Sequence, residues 1–172
     1  LAMKISVKKI INCLSMLKPV PGRLETINYK KKKSKIIIDY AHTPDALENI
    51  LKNFSYDKFK PSLVFGCGGD RDKLKRRKMA LLAAKYANKI YITDDNPRNE
   101  NPKHIRKILK KYCPNGFEIP DRKKAIHYAI SKLDLYDTLI IAGKGHEKYQ
   151  LIKNKKIDFD DFKITKNIIS EL

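Results

Sequence analysis

The sequence predicts an α/β protein in which a mostly parallel β-sheet carries helices on both faces. Short runs of β-branched or aromatic residues alternate with longer segments of helical periodicity along residues 36–141, which is typical of that architecture. The runs are continuously apolar, as expected for strands that are buried on both sides. With 172 residues, of which 42% are hydrophobic and 33% charged, the chain has the size and composition of one folded domain.

The segment before residue 21 is predicted to form an amphipathic helix. Pro19 and Pro21 end this helix, because proline lacks the N–H that helical hydrogen bonding needs. An extended segment follows, with a lysine-rich tip at residues 30–33. The apolar residues that recur at helical spacing are Ile5, Val7, Ile10, Ile11, Leu14 and Leu17.

Strands and helices then alternate through the middle of the chain. The predicted strands are residues 36–38, 63–65, 90–92, 117–119 and 139–141, with 117–119 the weakest of the five. The predicted helices are residues 45–54, 73–87, 102–112 and 123–133.

The C-terminal part predicts an antiparallel hairpin and one more helix. Two short apolar segments, residues 149–152 and 157–159, flank the turn residues Asn154 and Lys155, which favours a hairpin. Asp160 is the expected N-cap of a final helix that runs through Ile169, because an aspartate side chain can accept hydrogen bonds from the first helical N–H groups.

The charge of the chain is strongly positive. Lys and Arg number 38 against 19 Asp and Glu, which gives a net charge of +19 and a field that attracts polyanions. A basic nucleic-acid-binding module is therefore an alternative interpretation. The lysines are scattered along predicted helices and loops, and the aromatic residues are not interleaved with them as a base-stacking surface requires. We therefore expect solvated lysine faces and no nucleic-acid partner.

Cysteine usage and hydropathy indicate a reducing, aqueous compartment. Three cysteines, Cys13, Cys67 and Cys113, have no paired spacing and are interpreted as reduced thiols. No apolar run approaches the ~18–20 residues that span a bilayer. We expect a cytoplasmic protein without a membrane partner. We also expect no metal site, although the pair Asp94-Asp95 leaves a turn and a magnesium site open as alternatives.

Unusual polar and glycine-rich segments follow four of the predicted strands. The carboxyl ends of parallel strands meet at one edge of a sheet, where open α/β sheets bind their ligands. These four segments therefore predict one shared site. They are residues 39–44 (DYAHTP), 66–73 (GCGGDRDK), 94–98 (DDNPR) and 143–147 (GKGHE).

The charged residues of these loops predict a pocket for an amino acid. Arg71 and Arg98 carry planar guanidinium groups that suit carboxylates, and Glu147 suits an ammonium group. A ligand with one carboxylate would leave one arginine unpaired, so we expect more than one carboxylate and at least one amine. Pro97 is expected to hold Arg98 in place by fixing φ, and Asn96 can offer both a donor and an acceptor.

The same loops do not form a phosphate cradle. The chain contains neither Gly-x-Gly-x-x-Gly nor Gly-x-x-x-x-Gly-Lys-Ser/Thr, so it lacks its own loop for nucleotide phosphates. The glycines at 66, 68 and 69 allow close approach of the backbone to a ligand. His42 and His146 either contact a phosphate or ribose or act as structural hydrogen-bonding residues.

Five motifs, taken in order, resemble the Mur ligases, and among them most closely the members that add diaminopimelate. The resemblance extends over essentially the whole chain. It implies a Rossmann-like C-terminal domain at residues 19–172, preceded at residues 1–18 by the last helix of a central ATPase domain. The motifs are Pro21-Gly22-Arg23-Leu24-Glu25, residues 39–44 (DYAHTP), residues 66–71 (GCGGDR), Asp95-Asn96-Pro97-Arg98 and Gly143-Lys144-Gly145-His146-Glu147.

The resemblance also implies an activity for the complete enzyme. In the family, ATP phosphorylates the side-chain carboxylate of the D-glutamyl residue of UDP-N-acetylmuramoyl-L-alanyl-D-glutamate, and the amine of meso-2,6-diaminopimelate attacks the acyl phosphate. ATP and Mg²⁺ would be held mainly by the central domain, which lies upstream. The resemblance implies no catalytic residue within this chain, which is expected to be part of a monomeric protein and to be inactive alone.

The related folylpolyglutamate synthetases, which accept glutamate, share the architecture and remain an alternative.

The family resemblance assigns two groups of binding residues. Contacts to diaminopimelate are implied for Arg71, Asp95, Asn96, Arg98, Gly143 and Glu147, and contacts on the ATP side for Arg23, Asp39 and His42.

Overall fold

A six-stranded β-sheet forms the centre of the protein, in a computed structural model that describes residues 5–14, 16, 20–56 and 59–172. Its strands are β1 (Glu25–Tyr29), β2 (Ser34–Asp39), β3 (Ser62–Phe65), β4 (Ile90–Ile92), β5 (Phe117–Glu118) and β6 (Thr138–Ala142). The helices are α1 (Val7–Leu14), α2 (Pro44–Asn53), α3 (Leu74–Tyr86), α4 (Pro102–Tyr112), α5 (Arg122–Ser131) and α6 (Asp161–Glu171). A separate antiparallel hairpin consists of β7 (Tyr149–Ile152) and β8 (Lys155–Asp158).

The sheet is parallel except at one edge. The strand order is β1-β2-β6-β3-β4-β5, and the pairs β2–β6, β6–β3, β3–β4 and β4–β5 are all parallel. Strand β1 pairs antiparallel with β2 after a short 3₁₀ turn at Lys30–Lys32. The predicted fold class, including the C-terminal hairpin, is therefore confirmed.

Two hydrophobic layers cover the two faces of the sheet. Ile37 packs with Leu47, Met79 and Leu109 from α2, α3 and α4 on one face. Ile36 and Ile38 pack on the other face with residues of α5 and α6 that include Ile126, Ile130 and Ile168. Successive side chains of a strand point to opposite faces, so a continuous apolar run is required where both faces are covered.

Side chains cap the N-termini of α2, α4, α5 and α6. The carboxylate of Asp160 accepts a hydrogen bond from the Lys163 N–H, as predicted for the start of α6. Asp121 caps α5 in the same way. Thr43 and Asn101 cap α2 and α4, and each of these two is followed by proline at the first helical position, where no N–H is needed.

The ends of several elements differ from the prediction. Helix α5 spans residues 122–131 and not 123–133, and strand β8 begins at Lys155 and not at residue 157. The described part of the first helix is α1, whose residues are all exposed; Leu17 and Pro19 lie outside the described residues. Among the described residues, no helix has the length and apolar character needed to cross a membrane.

Candidate functional site

One cleft lies at the edge of the sheet where strands β2, β3, β4 and β6 end. Its volume is ≈ 390 Å³. All six residues predicted to hold the amino acid line this cleft, together with His42; Arg23 and Asp39 do not line it. The lining residues are Tyr40, His42, Thr43, Gly68, Arg71, Asp72, Lys75, Asp95, Asn96, Arg98, Gly143 and Glu147.

The loops after β3 and β4 are packed directly against each other. The Gly69 N–H donates a hydrogen bond of 2.9 Å to the Asn96 carbonyl. A Cβ atom at Gly69 would lie 1.9 Å from the Pro97 carbonyl oxygen, a distance that no side chain tolerates. Glycine at this position therefore lets the loop that carries Arg71 approach the loop that carries Arg98.

The backbone of Arg98 is held by the hairpin. Its own φ is 50°, in the left-handed region, whereas the ring of Pro97 fixes only the φ of Pro97. The Arg98 N–H donates to the Leu151 carbonyl at 2.9 Å, and the Lys153 N–H donates to the Arg98 carbonyl at 2.6 Å. Strand β7 thus adds a short stretch of pairing that fixes the backbone of Arg98.

The guanidinium group of Arg98 remains partly available. Its Nη1 donates to the Gly69 carbonyl at 2.9 Å, which orients the side chain towards the cleft. Within the described residues, Nε and Nη2 of Arg98 have no hydrogen-bond partner. Arg71 is exposed and forms neither a hydrogen bond nor an ion pair with a described residue. Both arginines can therefore receive a carboxylate.

The floor of the cleft is a buried network around Lys144. Lys144 is fully buried, and its Nζ donates to Asn96 Oδ1 at 2.8 Å and to the Tyr149 carbonyl at 2.6 Å. Asp95 Oδ1 and Glu147 Oε2 lie 3.4 and 3.6 Å from the same Nζ. Burial lowers the pKa of Lys144, and the charge of Asp95 opposes that shift. The loop after β6 therefore contributes both Glu147 and the cation that neighbours it.

A second buried ion pair lies behind this network. Arg122 donates from Nε and Nη2 to the two carboxylate oxygens of Asp161, at 2.9 and 2.8 Å, and both side chains are fully buried. Nη2 of Arg122 also donates to the Ala142 carbonyl at 3.0 Å. Ala142 is the last residue of β6, so this pair fixes the point at which the 143–147 loop leaves the sheet.

Charge is distributed unevenly between the floor and the rim of the cleft. In the floor network, the acids Asp95 and Glu147 outnumber the base Lys144 by one, while the pair Arg122–Asp161 behind it is balanced. Because an isolated buried charge is costly, this floor favours a ligand ammonium group.

The rim has the opposite excess. Arg71, Arg98 and Lys75 surround the opening, against the single acid Asp72. The cleft can therefore accept a molecule with an ammonium group at its inner end and carboxylates near the opening, which is the chemistry of an amino acid with more than one carboxylate.

Of the three residues predicted for the ATP side, His42 lines the cleft, whereas Arg23 and Asp39 lie beside it. Asp39 is 8% exposed, and its two oxygens accept hydrogen bonds from the backbone N–H groups of Leu24 and Ala41. Arg23 is exposed and stacks on the ring of Tyr40, with its Cζ 4.7 Å from the ring centroid. His42 Nδ1 lies 2.9 Å from the Tyr40 carbonyl. Asp39 thus joins two chain segments, while Arg23 and His42 keep accessible polar atoms.

The acidic side chains of the described residues are not arranged as a metal site. The described residues contain no group of three or more His, Cys, Asp or Glu side chains that could hold a metal ion. Asp94 is ion-paired with Arg106, which also pairs with Glu118, while Asp95 faces Lys144. Among the described residues, these carboxylates are therefore paired with cations of the protein and do not form a ligand set for Mg²⁺.

Sequence reasoning gave no role to Arg76 and Glu100, which tie the two arginine loops together. The fully buried Arg76 donates to both oxygens of Glu100, at 3.0 and 2.8 Å, and to the Gly68 carbonyl at 3.1 Å. Glu100 also accepts a 2.7 Å hydrogen bond from the Asp70 N–H. The hydrogen bond from Arg76 lowers the pKa of Glu100 from 4.5 to about 2.

Stability is therefore expected to depend on the ionisation of Glu100. A carboxylate whose pKa is depressed in the folded state stabilises the fold fully above about pH 4.5, and this contribution disappears as the pH falls towards about 2. The variant Glu100→Gln should cost about 2 kcal/mol near neutral pH, the size of a hydrogen bond to a charged group. Urea unfolding of both proteins at about pH 7 and pH 3 measures the difference, which should shrink at the lower pH.

Glu48→Gln is the matched control, because Glu48 forms an exposed ion pair with Lys52 within helix α2. Its effect on the free energy of unfolding should be small, since such pairs contribute little. An equal effect of the two substitutions near neutral pH would contradict the assigned role of Glu100.

Comparison with known proteins places this architecture in a family. The model of the "Mur ligase, glutamate ligase domain" family matches residues 22–145. A curated relative from Rickettsia bellii, named UDP-N-acetylmuramoyl-L-alanyl-D-glutamate–2,6-diaminopimelate ligase, is 50% identical over 161 residues, which are 91% of this chain and 33% of the relative. A relative of the same name from Anaplasma marginale is 47% identical over 154 residues, 88% of this chain and 32% of the relative.

Solved structures agree with the sequence comparison. A structure described as UDP-N-acetylmuramoyl-L-alanyl-D-glutamate–2,6-diaminopimelate ligase matches with a TM-score of 0.80 and 35% identity, over 99% of this chain and 36% of that one. A folylpolyglutamate synthase from Thermotoga maritima matches with a TM-score of 0.58 and 22% identity, over 83% of this chain and 32% of that one, which shows a shared fold alone.

These matches have two consequences. The chain spans about a third of the length of the curated relatives it matches. Because the family model covers well over half of the 172 residues, the chain belongs to the Mur ligase family.

Proposed function

We propose that this chain is the amino-acid-binding C-terminal part of an ATP-dependent ligase. The ligase joins meso-2,6-diaminopimelate to the D-glutamyl residue of UDP-N-acetylmuramoyl-L-alanyl-D-glutamate, in the synthesis of peptidoglycan precursors. The relatives from Rickettsia bellii and Anaplasma marginale carry names with the same two substrates. Residues 19–172 form the domain in this proposal, and residues 1–18 are the end of the preceding one. The ligase is proposed to be cytoplasmic and monomeric.

One observation carries the proposal, namely that two guanidinium groups and one carboxylate face the same cleft, and neither guanidinium group forms an ion pair with a described residue. Arg71, Arg98 and Glu147 all line this cleft. Diaminopimelate has two carboxylates and two amines, so it can satisfy both arginines and Glu147 at once. Lysine has one carboxylate and would leave one guanidinium group without a partner.

The residues of the cleft bind and orient the amino acid in this proposal. Arg98 and Glu147 hold the carboxylate and the ammonium group of one end of diaminopimelate. An amine held as an ammonium ion by Glu147 has no free electron pair, so the amine at the other end is the one that attacks. Asp95, Asn96 and Gly143 complete the inner wall of the binding site.

ATP supplies the phosphoryl group that activates the carboxylate, and we propose that the rest of the ligase binds its phosphates together with Mg²⁺. Arg23 and His42 are proposed to face the nucleotide when the two parts come together, because both keep accessible polar atoms. Asp39 is proposed to hold the two chain segments that carry them, since it accepts hydrogen bonds from the backbone N–H groups of Leu24 and Ala41.

The whole ligase, incubated with ATP, Mg²⁺ and UDP-N-acetylmuramoyl-L-alanyl-D-glutamate, should release phosphate only when diaminopimelate is added. Mass spectrometry should identify the amide product. Oxygen-18 placed in the D-glutamyl side-chain carboxylate should appear in the released phosphate, because the acyl phosphate passes one of its oxygens to phosphate when the amine attacks.

Lysine and glutamate serve as the comparison substrates. Efficient product formation with glutamate would instead favour a folylpolyglutamate-synthetase-like activity. Absence of product with diaminopimelate, in a ligase that folds and binds ATP, would overturn the proposal.

A further inference from the structure

Lys144 differs from most other lysines of the chain because it is fully buried. It lies between Gly143 and Gly145, directly after strand β6, and its side chain points under the cleft and not into solvent. The exposed area of its side chain is 0%, whereas Glu147 and Asp95 beside it remain partly open, at 18% and 11%. A buried ammonium group persists only where acceptors surround it, and here those acceptors belong to the site.

The three hydrogens of an ammonium group can only be donated, and this fixes the orientation of Asn96. Lys144 Nζ and the Leu151 N–H, at 2.8 and 3.0 Å, both donate to Asn96 Oδ1. The amide oxygen of Asn96 must therefore face these two donors, and its NH₂ group must face the other way. A reversed amide would place NH₂ against two donors.

The fixed amide of Asn96 in turn orients Glu147. Asn96 Nδ2 donates to Glu147 Oε2 at 2.9 Å. Within the described residues, the second oxygen of this carboxylate, Oε1, accepts no hydrogen bond. One oxygen of Glu147 is thus held by the protein, and the other is presented to the cleft.

We propose that Lys144 is a positioning residue for the amino-acid substrate, because it orients Asn96 and, through Asn96, holds Glu147 in the rotamer that receives the substrate ammonium group. This proposal rests on the proposed function and adds a residue that does not line the cleft itself. Lys144 Nζ also lies 3.6 Å from Glu147 Oε2, so the hydrogen bonds through Asn96, a side chain from the loop after β4, act together with a direct contact.

Steady-state kinetics of the whole ligase carrying Lys144→Met tests the proposal. The KM for diaminopimelate should rise at least 10-fold, while the KM for ATP and the kcat at saturating diaminopimelate change less than about 3-fold. A purely structural role would instead reduce the amount of folded enzyme and leave all KM values alone. Lys148→Met is the matched control, because Lys148 is an exposed lysine directly before strand β7 that does not line the cleft, and this substitution is expected to change no parameter.

A double-mutant cycle with Glu147→Gln separates action through Glu147 from any other effect. Once Glu147 is neutral, removing Lys144 should raise the KM for diaminopimelate less than about 2-fold further. This comparison uses Glu147→Gln and Lys144→Met/Glu147→Gln, of which the second removes one charge of each sign, so it remains informative even if Lys144→Met alone does not fold.

Additive effects in this cycle would overturn the proposal, as would an unchanged KM in a folded Lys144→Met enzyme. Failure of the proposed function has a different signature, since the unmodified ligase would then form no product with diaminopimelate.

Discussion

Replacing Arg98 with alanine is expected to raise the KM for diaminopimelate about 100-fold and to abolish the preference for diaminopimelate over lysine. Nε and Nη2 of Arg98 have no hydrogen-bond partner among the described residues, so they are the donors available to a second carboxylate. Hydrogen bonds to charged groups contribute about 1.5–3 kcal/mol each, and 2.7 kcal/mol corresponds to about 100-fold in affinity. Lysine lacks this carboxylate, so its KM should change little or improve.

The ratio of kcat/KM for the two amino acids is the measurement that decides this prediction. In Arg98→Ala this ratio should fall towards unity, because kcat/KM for diaminopimelate decreases while kcat/KM for lysine does not. Arg77→Ala is the matched control: Arg77 is exposed on α3, where it stacks on Tyr112 with its Cζ 5.3 Å from the ring centroid, outside the cleft. Unchanged discrimination in Arg98→Ala would remove Arg98 from the specificity pocket.

The strands could be predicted because a strand that is buried on both faces requires a continuous run of apolar residues. Ile36, Ile37 and Ile38 alternate between the two hydrophobic layers, so no polar residue interrupts the run. Strand β5 could be predicted only weakly, since it is a two-residue edge strand with both residues exposed. The predicted ends of the helices are less accurate than their predicted positions. Helix propensity changes gradually along a chain, whereas helical hydrogen bonding stops at one residue.

The part of the candidate site that lies in the loops after the strands could be predicted from the sequence. Loops that follow parallel strands must meet, so Arg71, Arg98 and Glu147 could be brought together without coordinates. The backbone hydrogen bonds that fix Arg98 could not be predicted, because their partners in hairpin β7–β8 lie more than 50 residues away along the chain.

The sequence interpretation does not predict which charged side chains are buried. Arg76, Arg122 and Lys144 are fully buried, yet in a chain with 38 basic residues nothing in the local pattern of Arg76 or Arg122 separates these two from exposed ones. Their partners are distant in sequence: Glu100 lies 24 residues from Arg76, and Asp161 lies 39 residues from Arg122. A sequence signal does exist for Lys144, since it stands between two glycines directly after a buried strand.

The variant Asp161→Ala is expected to destabilise the domain by about 3–5 kcal/mol, because it leaves the guanidinium group of Arg122 buried without its counter-ion. Both side chains of this pair are 0% exposed, so neither can turn to solvent without opening the interface of α5, α6 and the sheet. Urea unfolding of this chain measures the effect as a lower midpoint with an unchanged slope. Asp134→Ala is the control, since Asp134 pairs with Lys89 at the surface and is 79% exposed, and its effect should be small.

A charge-free replacement of the same pair separates the burial of charge from the packing of the pair. Arg122→Met/Asp161→Leu should recover most of the stability that Asp161→Ala loses, because well-packed apolar residues often replace a buried ion pair without loss. The double variant also removes the hydrogen bond from Arg122 to the Ala142 carbonyl, at the start of the 143–147 loop. We therefore expect a stable domain in which Gly143 and Glu147 are less well positioned, with a raised KM for diaminopimelate in the whole ligase. If the double variant were as unstable as Asp161→Ala, shape and not charge would dominate at this site.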